Sequence, residues 1–536
     1  MPNPFLEPSA LPYDLPPFAD IEPEHYREAI DLGFAHQLAE IEAITSDPAP
    51  ASFDNTIVPL ELSGQTLSRV EHVFWNKQSS DSDESSNALE LEYAPLFAAH
   101  SDAIRLNPAL AARIEAVYES LGTEAASELS PEAVYLVERY HDEFTRAGAG
   151  LADADKERLR TLNADLAALS TRFEKNLLAD TNDLALVVDD ASELDGLGED
   201  EIAGLAAAAA ERGLEGKYLI TLMLFTGHPL LSRLTNRDLR RRIMEASRAR
   251  GSRGGEHDNR QVVLDIVRLR AERAALLGFA THAAYVTAGE TAGSPDAVDA
   301  LLSRLAPPAA RNAAAEQHDL QELACHPVEA HDWAFYSERV RAATYDFDSD
   351  DMRPYFEASR VLVDGVFFAA SQLYGLEFTE RHDLVGYHPE ARVFEVTSEG
   401  EPVGLYLLDL YTRDSKRGGA WMNPLVSQSR LLHPYPVVVN NLNVSKPPAG
   451  SPILLTLDEV TTLFHEFGHA LHGLLARVTY PHFSGTNVFR DFVEFPSQVN
   501  EMWMLRPEVL SNYARHYKTG EPMPRDLVDK LEAAEG

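Results

Sequence analysis

The chain has 536 residues, 45% hydrophobic and 24% charged, the composition of a soluble globular protein long enough to bury a large core without disulfides or metals to staple it. Its formal net charge of −39 argues against a general binder of nucleic acid or anionic lipid. One cysteine, Cys325, excludes an internal disulfide framework and Cys-based metal clusters, and is expected to be a small buried hydrophobe.

The first residues, Met-Pro-Asn-Pro-Phe-Leu-Glu-Pro, show neither a basic nor an apolar targeting region, and no run of eighteen apolar residues follows. The Pro-rich first twenty residues are expected to lie extended along the surface. From Pro23 the pattern is helical: Tyr26, Ile30, Phe34, Leu38 and Ile41 keep one face, and so do Leu159, Leu162, Leu166, Leu169 and Phe173. Breaks are predicted at Ser79–Ser86, Asp189–Asp200 and Gly251–Asn259, where Gly, Ser and acidic residues cluster. Arg233–Arg253 carries eight arginines, read here as an exposed helix face offsetting acidic neighbours.

β-Signals come late. Arg392–Val396 and Val403–Tyr411 flank a turn and predict a hairpin, and Pro436–Val444 is a third strand-like run.

His465-Glu466-Phe467-Gly468-His469 follows directly. Thr456 and Glu459 have capping-box spacing, so the motif falls on a helix. Two histidines four apart then share one face and can reach one ion. Glu466, beside the first, can approach a water without ligating the metal, which is the residue set for zinc-activated hydrolysis. For a third ligand, Glu494 leads, with Glu501 and His472 as alternatives: His472 would string three ligands along one helix axis, whereas Glu494 lies on a predicted second helix opening at Asp491. Asp458, Thr461 and Glu501 are candidate partners for the far side of a ligating imidazole. Gly418, Gly419 and Ala420, ahead of the motif, are candidate substrate-binding residues: the glycines permit close backbone approach, and a strand edge there would hold an extended peptide.

These residues resemble the thimet oligopeptidase family of zinc peptidases, in its bacterial peptidyl-dipeptidase branch. The resemblance is carried by Leu463–Gly473 and Ser484–Gln498, and extends to Phe53–Ile57, Leu276–Phe279, Asp332–Tyr336 and Asp414–Trp421. It implies a mainly α fold, a two-lobed helical clamshell with a deep substrate channel and a small β-sheet next to the zinc helix. Residues 1–390 would form much of the channel walls, and 391–536 the sheet and the zinc-binding helices. It implies one Zn2+ per chain on His465, His469 and Glu494, with Glu466 as general base. The substrates would be short peptides losing C-terminal dipeptides, acted on by a cytoplasmic monomer with no nucleic-acid or membrane partner. The family continues past the point where this chain stops, through a His- and Gly/Tyr-rich segment that stabilises the oxyanion. Loss of that segment would leave the metal site intact and weaken or abolish turnover. An oligoendopeptidase and a non-catalytic peptide binder are the alternatives. For the residue that binds a terminal carboxylate, the candidates are Lys416, Arg417 and Arg490.

Overall fold

A computed structural model describes residues 3–123, 127–223, 228–345, 349–447 and 450–535. The fold is mainly helical. Helices α1 (Pro23–Thr45), α2 (Gln65–Ser80), α3 (Glu84–Arg105), α4 (Pro108–Glu119), α5 (Pro131–Ala147) and α6 (Asp153–Asp183) occupy the first third. Their apolar stripes face inward as the spacing predicts: Tyr26 and Ile30 pack on Leu67, Val70 and Phe74 of α2, and Ile41 packs on Leu110, Leu136 and Val137. In the long α6, Leu162 and Leu166 meet Val262, Ile266 and Leu269 of a later helix, Arg260–Leu276. The Pro-rich start does wrap along the molecule, but it is pinned: Phe5 and Leu15 are buried.

The three predicted breaks all fall between helices or in loops. Two expectations are corrected. Cys325 is exposed, in the connection after helix Pro295–Leu323. The arginine-rich segment is not a merely solvated face either. Arg240 is 1% exposed, bonded to Asp332 (2.9 Å) and to the Leu234 carbonyl (2.7 Å), with its guanidinium 3.9 Å from the Phe335 ring centre. Arg233, Arg237, Arg241, Arg242 and Arg253 are paired to acidic residues of this same chain. Burial of an arginine is tolerated because its fork is filled on every side.

Strand structure begins earlier than predicted, with a two-stranded antiparallel ribbon, β1 (Leu186–Val188) and β2 (Tyr218–Ile220). The main sheet follows: β3 (Leu376–Glu380), β4 (Arg392–Ser398), β5 (Glu401–Tyr411), β6 (Trp421–Val426) and β7 (Val437–Val444), in the order β3-β4-β5-β7-β6. The β4–β5 hairpin is the predicted one, its turn shortened to Glu399-Gly400, both at positive φ as a tight hairpin requires. The β5–β7 pair is parallel, with β6 on the outer edge of β7. Both faces are covered. Tyr406, Leu408, Val438 and Leu442 join the largest core, and Leu405, Leu407, Val437 and Val439 form a second with Leu15. Across the first face lies α7 (Leu457–Leu474), the helix of the histidine motif. It contributes Val460, Leu463, Phe464, Phe467, Ala470 and Leu474 to the core. Among the described residues no helix is long and apolar enough to cross a membrane.

Candidate metal centre and active site

Helix α7 starts where the capping box places it. The Thr456 hydroxyl accepts from Glu459 N (3.2 Å), and the Glu459 carboxylate accepts from Thr456 N (2.8 Å). Two glycines interrupt it, Gly468 and Gly473, although glycine costs a helix interior ~1 kcal/mol relative to alanine. Packing explains both. A Cβ at Gly468 would lie 2.6 Å from Ser497 Cα, and one at Gly473 would lie 2.8 Å from Val438 Cγ1. The first contact is with α8 (Glu494–Glu501), which crosses α7 there. Asn500 locks the crossing by donating to the Phe464 carbonyl (2.6 Å), and on the sheet side Asn440 donates to the Glu466 carbonyl (2.8 Å).

This crossing brings three predicted ligands together. His465 Nε2 is 3.2 Å and His469 Nε2 is 3.1 Å from the same oxygen, Glu494 Oε2. Among the described residues, His465, His469 and Glu494 form the one group whose ligand atoms converge as a metal requires, all within 4.8 Å of one another. Ser497 donates to Glu494 Oε2 (3.1 Å) and to the Glu494 carbonyl (2.8 Å), holding the carboxylate in place. His472 takes no part; it lies one turn further along α7, as its rise requires. Of the three candidate partners for a far imidazole nitrogen, Glu501 is the one that makes the contact, 2.5 Å from His465 Nδ1. Thr461 instead donates to the Leu457 carbonyl (3.0 Å).

The loop that returns the chain from α7 to α8 is anchored on the amino-terminal helices. Glu132 accepts from Thr479 N (2.6 Å), Glu61 accepts from His482 N (3.2 Å), and His482 Nε2 lies 3.1 Å from Glu143. Further on, Asp491 accepts from the backbone of Thr291 (3.0 Å) and Ala292 (2.8 Å). Burial of Tyr480 and Phe483 against α4 and α5 side chains adds apolar weight. No local sequence signal marks these anchors, because each pairs residues hundreds of positions apart.

Glu466 is 4% exposed, and its Oε2 has no hydrogen-bond partner among the described residues. Burial first, then the negative charge of Glu494, push its carboxyl up to about 8. Burial lowers His469, so the neutral, ligating form of the imidazole is favoured. An orphaned buried acid beside two imidazole nitrogens and a carboxylate is the donor set of a catalytic metal site with one open position.

The glycine pair is spent differently from the expectation. The space a Cβ would need at Gly418 is filled by the chain's own Met223 carbonyl oxygen, 1.9 Å from that point, so the close approach made there is internal. Gly419 is at φ +91°, and its carbonyl, like that of Arg417, accepts from Asn443 (2.6 and 2.8 Å). Ala420 leads directly into edge strand β6, whose Met422 reaches towards Gly473 of α7. Lys416 is fully buried on Asp409 (3.0 Å) and the Asp409 and Tyr411 carbonyls, out of reach of a ligand. Arg417 is paired to Glu174 (2.6 Å).

The fold and this cluster are those of a helical hydrolase with a place for one metal ion. Residues 230–535 match Peptidase family M3. The chain is 42% identical to the dipeptidyl carboxypeptidase of Escherichia coli (strain K12), over 99% of this chain and 79% of that protein. It is 33% identical to oligopeptidase A of the same organism, over 100% of this chain and 79% of that protein. An X-ray structure described as an oligoendopeptidase F shares the fold, with a TM-score of 0.51 at 13% identity, covering 97% of this chain and 73% of the other. The chain belongs to peptidase family M3 and is a peptidase.

Proposed function

We propose that this chain is a zinc peptidase that releases dipeptides from the C-terminus of short peptides. The observation that carries the chemistry is the convergence of His465, His469 and Glu494 beside the buried, unpartnered Glu466 Oε2. Two imidazole nitrogens and one carboxylate oxygen suit zinc, which when bound would polarise the scissile carbonyl and make water more acidic. Glu466 is the proton carrier. Its Oε2 takes the proton from the attacking water and delivers it to the leaving amine. Burial makes its carboxylate a stronger base for the first transfer, and the carboxyl so formed carries the proton to the second. The edge of β6, beside α7, offers main-chain donors and acceptors to an extended substrate, entered through Gly419 and Ala420. A channel between helical lobes would keep folded proteins from this edge.

The preference for C-terminal dipeptides rests on similarity to the dipeptidyl carboxypeptidase. Similarity to oligopeptidase A supports internal cleavage as a second reading. Mass spectrometry of a synthetic octapeptide with a free or an amidated C-terminus, with and without chelator, separates them. Successive dipeptide loss from the free peptide alone, stopped by chelator, is the expected result. Equal cleavage of both forms would favour the endopeptidase. Chelator-insensitive cleavage, or cleavage retained by Glu466→Gln, would overturn the mechanism.

A further inference from the structure

Residues 412–420 join β5 to the edge strand β6, and the amino-terminal part of the chain grips them. The Ser79 carbonyl accepts from Arg417 N (2.8 Å), and Ser82 donates to the Ser415 carbonyl through its N (3.0 Å) and Oγ (3.2 Å). Asp414 is held by its charge. Arg212, just past helix Glu199–Glu211, takes the carboxylate with two prongs, Nε to Oδ2 (2.9 Å) and Nη2 to Oδ1 (2.7 Å). We propose that Arg212 and Asp414 are positioning residues for substrate: their pairing sets where the entry to the β6 edge lies and so how tightly a peptide is held there. The inference rests on the reading of the β6 edge as the strand that binds the peptide.

The pair belongs to a closed ring. Arg212 Nη1 also donates to the Asn182 carbonyl at the end of α6 (2.9 Å), and the Asn182 amide donates to the Asp414 carbonyl (3.0 Å). A planar guanidinium bonded along two edges fixes the orientation of the carboxylate as well as its place, which an ammonium cannot do. From Arg212 the chain runs on through β2 to Met223, whose carbonyl fills the space over Gly418. The segment therefore meets the loop at two points, Asp414 and Gly418, and the second adjoins Gly419 and the entry to β6. Without the first point, the Met223 carbonyl is free to slide on Gly418, and the entry shifts with it. Global stability has little stake in the pair. The Asp414 side chain is 55% exposed, and an ion pair so open to solvent adds little to folding. The backbone bonds to Ser79 and Ser82 still hold the loop.

The test compares the full chain with Arg212→Ala, Asp414→Ala, the double variant and Arg212→Lys on the octapeptide with a free C-terminus. KM, kcat, zinc content and melting temperature are read on the same samples. Each alanine variant is expected to raise KM about tenfold with kcat little changed, the pattern of an interaction that serves ground state and transition state alike. The double variant should be no worse than either single, since each removes the same contact. Arg212→Lys should fall between parent and alanine, because it keeps the charge and loses one prong. Zinc content and melting temperature should not move. An unchanged KM in either alanine variant would overturn this inference alone, and so would effects that add in the double. A fall in melting temperature accompanying the rise in KM would also overturn it, since the pair would then be structural. A parent that cleaves no peptide would overturn the proposed function and this inference with it.

Discussion

Replacing Gly468 with alanine tests whether the helix crossing, rather than the motif alone, builds the metal centre. On helix propensity the change is favourable by ~1 kcal/mol. The added methyl, however, would sit 2.6 Å from Ser497 Cα, 2.9 Å from Asn500 Cβ and 3.1 Å from Pro496 O. These are backbone atoms and a Cβ, which cannot swing aside, so the helices must part by about 1 Å to restore ordinary contact. Overpacking of this kind costs ~1–3 kcal/mol, leaving a net destabilisation of about 0–2 kcal/mol. The effect on the site should be larger than the effect on the fold. Glu494 rides on the displaced helix, and metal–ligand distances tolerate only ~0.2 Å. Urea unfolding followed by circular dichroism, with zinc affinity from chelator competition on the same samples, checks both. A variant that keeps the parent's zinc affinity would refute the reasoning whatever its stability, because the crossing would then not set the ligand geometry.

The other predictions concern buried charge and the ligands themselves. Burial alone would raise the Asp409 carboxyl, but the Arg413 hydrogen bonds and the charges of Lys416 and Arg413 outweigh it and hold the group below the ordinary carboxylate range. With its folded pKa depressed, Asp409 contributes stability that is fully present above the unfolded pKa and is lost as pH falls through the folded value. Asp409→Asn should cost about 3–5 kcal/mol at neutral pH, since Lys416 would be left buried without its counter-charge, and should flatten the acid limb of a plot of melting temperature against pH. Arg240→Lys should destabilise by about 2–4 kcal/mol in denaturant titration, because an ammonium cannot span Asp332, the Leu234 carbonyl and the Phe335 face at once. His465→Ala should abolish stoichiometric zinc in metal analysis, whereas Glu466→Gln should retain zinc and lose peptide cleavage by ~10² or more.

Periodicity placed α1 and α6, and the capping box placed the start of α7, because these depend on neighbours three or four residues apart. The hairpin was legible for the same reason, its turn chemistry lying within one short stretch. The short strands β1, β2, β3 and β6 were not: at three, three, five and six residues they are too short to show a period of two, and β6 carries a proline. Cys325 was misplaced because composition says what a cysteine prefers, not which face a connection turns to solvent. Gly418 shows the same limit. Its need for space was readable, but the occupant is Met223, nearly two hundred residues away.

The spacing of His465, Glu466 and His469 by itself determined that two imidazoles share a helix face with an acid beside them, since helical geometry admits no other outcome. It also put Glu494 ahead of Glu501 and His472 as third ligand, on the rise of one helix and the start of a second. The tertiary structure decided the contacts, because only the crossing at Gly468 and Ser497 brings Glu494 to both Nε2 atoms and leaves Glu501 for Nδ1. It also decided how that crossing is held. The return loop is anchored by Glu61, Glu132 and Glu143, whose hydrogen bonds form between segments that no local pattern connects.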